Sequence, residues 1–517
     1  MAPLKSCTAG LSALLPDSSH PAAKQTTPLG VNRYVLLVIY MLYAVLTSSV
    51  YFGWRSMSAM LFKSGQFSWV CDSEEKLEAE NSEYLCELQD TKVQSLFTIA
   101  MACHFTCSAL AGYLLDTVGP KVVALLGQAF NALAWILLAF SGPGFRAVYP
   151  AFVFMGAGAD VSVYPTLLIV SLFPGSTALI MASLGACIST SFFVPLVLRT
   201  IWDTTGISFQ AVCIGYAVAG PILCAVLAVF FIPLKAFKGV DTFTAAVEAE
   251  KVANVAAGPA KSEADVYQTA VTECSEPGAG EHPENHQNQA VVADLASDPR
   301  LEKQKVSFSS QACTFLYFGI CLYFTVCGWV MAYYQEAAGR FLSKNAEYTL
   351  EIMTPLSTIP CLIFGVVINR IGIMPVILTL NTIGLFTYVC VVAAESVVAQ
   401  YFSVVFFFMY ISIFTTQMYV FVEATFDSAH FGKLIGFASL IGGLLSLISN
   451  VLYGDVTVGL LNGNTQPVVM ALIVVLVLMY PLLLFMQKKK MMKEKHQQED
   501  IRNRVMELKA AYDADVA

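Results

Sequence analysis

Residues 112–121 read GYLLDTVGPK, and this stretch decides the fold. An apolar run precedes it and another follows, so it forms a tight polar turn between two membrane helices. Asp116, Gly119 and Lys121 stand where one helix leaves the bilayer and the next re-enters. A fainter copy occupies 365–376, GVVINRIGIMPV. In it Gly365 matches Gly112, Asn369 matches Asp116 and Gly372 matches Gly119, with Arg370 beside them. One polar turn repeated at the same place in each half of an apolar chain predicts a duplicated helix bundle.

Working outward, the whole chain reads as membrane-embedded. Of 517 residues, 56% are hydrophobic and only 13% charged, more apolar surface than a soluble fold of this size can hide. The formal charge of −8 comes from hydrophilic segments and implies no nucleic-acid partner. Residues 1–30 carry Pro, Ser, Thr and Lys with no apolar core, so the first span is expected to act as its own insertion signal. A helical crossing needs about 20 mostly apolar residues, because lipid leaves no partner for free backbone groups. Twelve runs qualify: 34–54, 93–115, 121–141, 148–171, 177–198, 208–232, 311–334, 352–369, 373–394, 400–423, 433–453 and 467–486. The run at 352–369 is the weakest, since it holds Pro355 and Pro360.

Six runs precede residue 236 and six follow residue 308. The expected architecture is therefore an all-α membrane protein with twelve transmembrane helices in two six-helix pseudo-repeat halves. The halves are 34–235 and 309–487, joined by a linker at 236–308, with tails at 1–33 and 488–517. Ala245 to Pro299 lacks hydrophobic periodicity and is expected to be disordered. An even count puts both termini on one side. Arg33, Lys121, Lys235, Lys238, Lys303, Lys305, Arg370, Lys433 and the run Lys488-Lys489-Lys490 lie on that side, against Lys63, Lys92, Arg146, Arg199, Arg340 and Lys344 in the loops of the other, and the positive-inside rule assigns the first to the cytoplasm. The loop from Lys63 to Asp90 then faces outward, where Cys71 and Cys86 meet oxidising conditions that favour a disulfide.

The twelve runs, the six-plus-six split and GYLLDTVGPK together resemble the major facilitator superfamily. Thr117 and Pro120 replace two bases of that turn motif, so only Lys121 keeps its positive charge. Finer features are FGW at 52–54, a cysteine-bearing loop, QDTKVQSLFTI at 89–99, IWDTTGISF at 201–209 and FGKLIGFASLIGGLLSLISN at 431–450. In this order they resemble the facilitative L-type amino-acid transporters and the related family of apicomplexan parasites. The resemblance implies the major facilitator fold and sodium-independent amino-acid transport.

Charged side chains at membrane depth cost at least about 2.5–3.5 kcal/mol on insertion scales and so ask for a function. Asp160, in the fourth run, lies about 18 Å below its outer end at 1.5 Å per residue. It reads as a counter-charge for a substrate ammonium or cationic side chain, as a proton-coupling carboxylate, or as a packing carboxylate between helices. Gly156 and Gly158 thin the helix beside it. His104, at similar depth, reads as a partner of Asp160, a proton relay or a packing histidine. No companion ligands stand at metal spacing, so no metal site and no cofactor are expected.

In the first run, Thr47, Ser48, Ser49 and Tyr51 offer hydroxyls near Gly53 to a substrate carboxylate or to neighbouring helices. Arg55 follows at the outer edge, where it either attracts carboxylate or snorkels. Tyr323 is deep enough to face a cavity, whereas Trp329, Tyr333 and Tyr334 read as an interfacial belt. Glu423 near the cytoplasm, with Arg370 and Lys433 close in topology, reads as an inner gate or as surface charge. Asn450 is a polar candidate for substrate or helix contact.

The expected activity is carriage of cationic, aromatic or large neutral amino acids across the plasma membrane by alternating access. No bond is broken, so the chain is not expected to be an enzyme. The alternatives are proton-coupled symport of a sugar or organic acid, and a transporter-like sensor signalling through linker and tail.

Overall fold

The computed structural model describes residue 18 and residues 20–72, 83–238, 307–426 and 430–516. Within its helices the side chains of Asp116, Asn369, Arg370 and 501–516, among others, are outside that description. The chain divides into two units, Met1–Phe237 with Phe308–Gln487, and Lys238–Ser307 with Lys488–Ala517. The first holds nearly all of the apolar sequence. The expected linker lies almost wholly outside the described residues.

All twelve apolar runs fall on helix, and no strand occurs among the described residues. The helices are α1 (Arg33–Thr47), α2 (Trp54–Lys63), α3 (Glu87–Val118), α4 (Pro120–Phe140), α5 (Val148–Leu167), α6 (Thr177–Thr190), α7 (Phe193–Thr205) and α8 (Phe209–Phe231). The second half adds α9 (Phe315–Phe341), α10 (Lys344–Met353), α11 (Thr358–Ile371), α12 (Ile373–Val392), α13 (Val397–Glu423), α14 (Gly432–Leu460) and α15 (Gln466–Val516). Among the described residues ten continuous helices are long and apolar enough to cross a membrane. The run with Pro355 supplies an eleventh as a pair bent by 41°. Side chains such as Phe140, Val226 and Leu478 are exposed, as expected of faces turned to acyl chains.

The first span departs from expectation. It is not one helix over 34–54: α1 ends at Thr47 and a helical course resumes at α2 after a short 3₁₀ turn, Val50–Phe52. At about 22 Å, α1 alone is too short to cross. Ser48 leaves the helical region at ψ −123°, and its side chain accepts from the Ser49 N–H, so local hydroxyl bonding displaces the helical ladder. Gly53 completes the break. A Cβ there would strike the Phe192 carbonyl, at the point where α6 runs on into α7 as the single span Leu179–Thr205. The interrupted first span thus packs closely on the fifth within the first half.

The repeated turn is also a repeat in conformation. Gly119 has φ 88°, ψ 162° and Gly372 has φ 81°, ψ 171°, a region that L side chains avoid. Gly119 additionally presses on the Leu234 carbonyl. Lys121 donates to the Val229 carbonyl at 2.8 Å and so caps the end of α8.

Candidate functional site

Where α5 faces α3, Gly156 lets the helices approach so closely that a Cβ would run into the Ala100 carbonyl. That approach brings Asp160 onto α3. Its Oδ1 lies 2.9 Å from His104 Nε2, and Ser108 Oγ donates to Oδ2. The other ring nitrogen of His104, Nδ1, lies 2.7 Å from the Tyr51 hydroxyl. With its proton on Nε2, His104 donates to Asp160 and accepts from Tyr51. Tyr51, His104, Ser108 and Asp160 therefore form one polar chain, all within the first half, running from the break in the first span into α5. One turn along α5, the Tyr164 hydroxyl meets that of Tyr419 on α13 at 3.2 Å, a contact between halves.

The other first-span candidates face elsewhere. Thr47 Oγ1 accepts from Gln128 at 2.7 Å, and its carbonyl accepts from Asn131 at 3.2 Å, so it binds α4. Ser48 meets Ser191 at 3.5 Å, and Ser49 bonds through its backbone. Tyr323 is fully buried and donates to the Ile377 carbonyl at 3.2 Å, joining α9 to α12. Asn450 Oδ1 is buried with no hydrogen-bond partner among the described residues. Glu423 is exposed and makes no ion pair with a described residue; Asp116, Asn369 and Arg370 have no described side chain.

The strongest polar contacts between the halves lie at the end that carries the Cys71–Cys86 disulfide. Arg55 is buried rather than snorkelling, and lies 3.0 Å from Glu347 on α10 and 3.3 Å from Glu83. Arg199 on α7 holds both oxygens of Glu351 at 2.9 and 3.0 Å, and Ser56 donates to the same carboxylate. On α9, Arg340 pairs with Glu87 and lies 2.6 Å from Asp90, both on α3. Tyr453 accepts from Arg340 at 2.8 Å and donates to Asp90 at 2.5 Å. Burial pushes the phenol of Tyr84, beside Arg340, up to about 12, so it adds no charge there. The pattern is reciprocal. An arginine from the first span meets an acid of the eighth, and an arginine from the seventh meets acids of the second.

Between this layer and Asp160 sits Glu336, 1% exposed on α9. Thr98 of α3 donates to its Oε1, and Ser449 of α14 donates to Oε2 at 3.0 Å. Tyr333 and Tyr334, expected in an interfacial belt, are fully buried in the same region and bond Thr457 and Ser403, each at 2.9 Å. A cavity of about 420 Å³ opens at the disulfide-bearing end, lined among others by Arg55, Lys63, Glu83, Arg199, Glu347 and Glu351.

Sequence reasoning took Arg199 and Arg340 only as loop charges and ended the seventh span at 334, leaving Glu336 outside it. The available signal was helical spacing: Tyr333, Glu336 and Arg340 continue one face of α9 through the small residues Ala337 and Ala338.

Residues 37–450 match the family model described as Major Facilitator Superfamily. The chain belongs to the major facilitator superfamily. Within it, the chain is 76% identical to arginine transporter 1 of Toxoplasma gondii, over 99% of each chain. It is 40% identical to amino acid transporter 6-1 of the same organism, over 89% of this chain and 80% of that one. Among solved structures, a peptide transporter POT bound to alafosfalin superposes with a TM-score of 0.55 at 13% identity, covering 90% of this chain and 98% of that one, a likeness of fold alone. Superfamily membership and the many apolar helices make the chain a multi-pass membrane protein.

Proposed function

We propose that the chain carries amino acids, cationic ones by preference, across the plasma membrane by alternating access and without sodium. The observation that carries this reading is the buried chain Tyr51–His104–Asp160–Ser108 beside the broken first span. Interrupted membrane helices free backbone groups for a ligand, and a carboxylate held next to them offers acceptors to an ammonium. His104, with one ring nitrogen on Asp160 and the other on Tyr51, holds that carboxylate in place. The 76% identity to a protein named arginine transporter 1 supports the cationic preference.

The disulfide-bearing end faces outward in this proposal, and both termini are cytoplasmic. Oxidising conditions at Cys71 and Cys86 and the lysine run after the last apolar segment support that orientation. The conformation described is then the one closed to the outside. Opening outward separates Arg55 from Glu347, Arg199 from Glu351 and Arg340 from Asp90, while the Asp160 cluster moves as part of one half.

The test is uptake of labelled arginine into vesicles holding the purified protein, with and without sodium, challenged by unlabelled cationic, aromatic and large neutral amino acids. Expected is saturable, sodium-independent uptake that cationic competitors suppress most strongly. Vesicles that take up no amino acid would refute the reading.

A further inference from the structure

Five carboxylates sit between the helices at or below the charged layer, and Glu347 has Arg55. Asp90 has Arg340, Glu351 has Arg199 and Asp160 has His104. Glu336 differs. Among the described residues no basic side chain lies within 4 Å of it, and its partners are two neutral hydroxyls. Arg340, one turn further along α9, is already engaged by Glu87, Asp90 and Tyr453. The other ionisable groups nearby, Asp90, Tyr333 and Tyr388, are acids, so none supplies positive charge. Next to Ser449 in sequence, Asn450 Oδ1 is a buried acceptor without a donor, and next to Glu336, Gln335 Nε2 is a buried donor without an acceptor. Glu336 is thus a carboxylate without a basic partner, and the group that engages a carboxylate without adding acceptors is a donor-only cation such as a guanidinium or ammonium.

The two hydroxyls differ in what domain motion does to them. Ser449 belongs to the same half as Glu336, whereas Thr98 belongs to the other. When the halves part at the disulfide-bearing end, Thr98 leaves and Oε1 loses its donor beside the widening cleft. Along α3, Thr98 and Ser108 are separated by about 15 Å of helical rise, so this carboxylate and Asp160 mark two levels of one path.

We infer that Glu336 is the specificity-determining carboxylate, receiving the cationic end of the substrate side chain as it enters from the disulfide-bearing end. This rests on the proposed carriage of cationic amino acids and adds the residue that selects them. Recognition through a charged hydrogen bond strengthens as water leaves the closing cleft, which favours arginine over a neutral molecule of the same shape.

The test compares arginine with citrulline, whose urea group replaces the guanidinium at equal size, in vesicles holding wild type, Glu336→Gln or Glu336→Asp. Glu336→Gln removes the charge at nearly equal shape; its amide oxygen still accepts from one hydroxyl, and its amide nitrogen donates to the other. Expected is a fall of at least about 30-fold in the arginine-to-citrulline ratio of kcat/KM, with citrulline uptake retained. Glu336→Asp should recover much of the preference. A ratio within about twofold of wild type in Glu336→Gln, or equal loss of both substrates, would overturn the inference. So would a variant that flattens the response to external pH while keeping the preference, since that assigns the residue to proton movement. Failure of the parent reading shows up separately, as wild-type protein that carries neither molecule.

Discussion

The two charged regions of the interface differ in which half supplies the partners. Around Asp160 every close partner, His104, Ser108 and through them Tyr51, comes from the first half. At the disulfide-bearing end Arg55, Arg199 and Arg340 each reach an acid of the opposite half. A cluster contained in one half keeps its geometry when the halves rock, which suits it to holding a ligand. A cluster shared between halves must break and re-form in each cycle, which suits it to setting the balance of states. Buried ion pairs add little net stability in themselves, but removing one partner is costly because a charge is stranded.

The comparison breaks most sharply at Asp160. Asp160→Asn should lower kcat/KM for arginine by about 100-fold with normal surface expression, because the charge facing the substrate ammonium is lost while the side-chain shape is kept. Unchanged kinetics in that variant would remove Asp160 from the binding cluster. Next comes Arg340→Gln, which strands Asp90 and should destabilise the closed arrangement by about 3–5 kcal/mol. Spin labels at the exposed Thr204 and Tyr348 would report longer separations in that variant; an unaltered distance distribution would show that this contact does not set the balance. Replacing Cys71 and Cys86 by serine removes a link between positions 15 apart and should cost about 3 kcal/mol by loop entropy, read as a lower Tm with substrate preference unchanged. The smallest effect belongs to the Lys63–Asp203 pair, half exposed at the cavity rim. Lys63→Ala should change stability by less than about 1 kcal/mol and leave uptake within about twofold, which Tm and initial rates would check.

Much of this was legible in the sequence, and the reasons are local. Spans declare themselves by apolar length, and the paired turns by a glycine at positive φ with a polar neighbour. Asp160 and His104 stood out because charge inside an apolar run is expensive. The hydroxyl cluster at 47–51 was noticed, but its meaning was divided. Ser48 and Ser49 form a helix break, Thr47 grips α4, and only Tyr51 joins the histidine. Glu336, Arg340 and Asp90 were passed over for one physical reason. Each lies at the end of a span, where hydropathy alone reads a charge as the start of a loop. Their burial comes from partners roughly 110 to 250 positions away, which no local window contains.

The crosswise placement of arginines and acids has the form of a two-fold contact in a dimer of identical subunits, where patch i meets patch j and j meets i. A single six-helix gene product with one arginine on its first helix and acids on its second would make both contacts at once by pairing with itself. In the fused chain the two copies are free to drift apart. Glu87 and Asp90 now share one arginine through Tyr453, while Glu347 and Glu351 each have their own. The chain thereby carries two unequal versions of one kind of joint, and the strength of either can be retuned without touching the other.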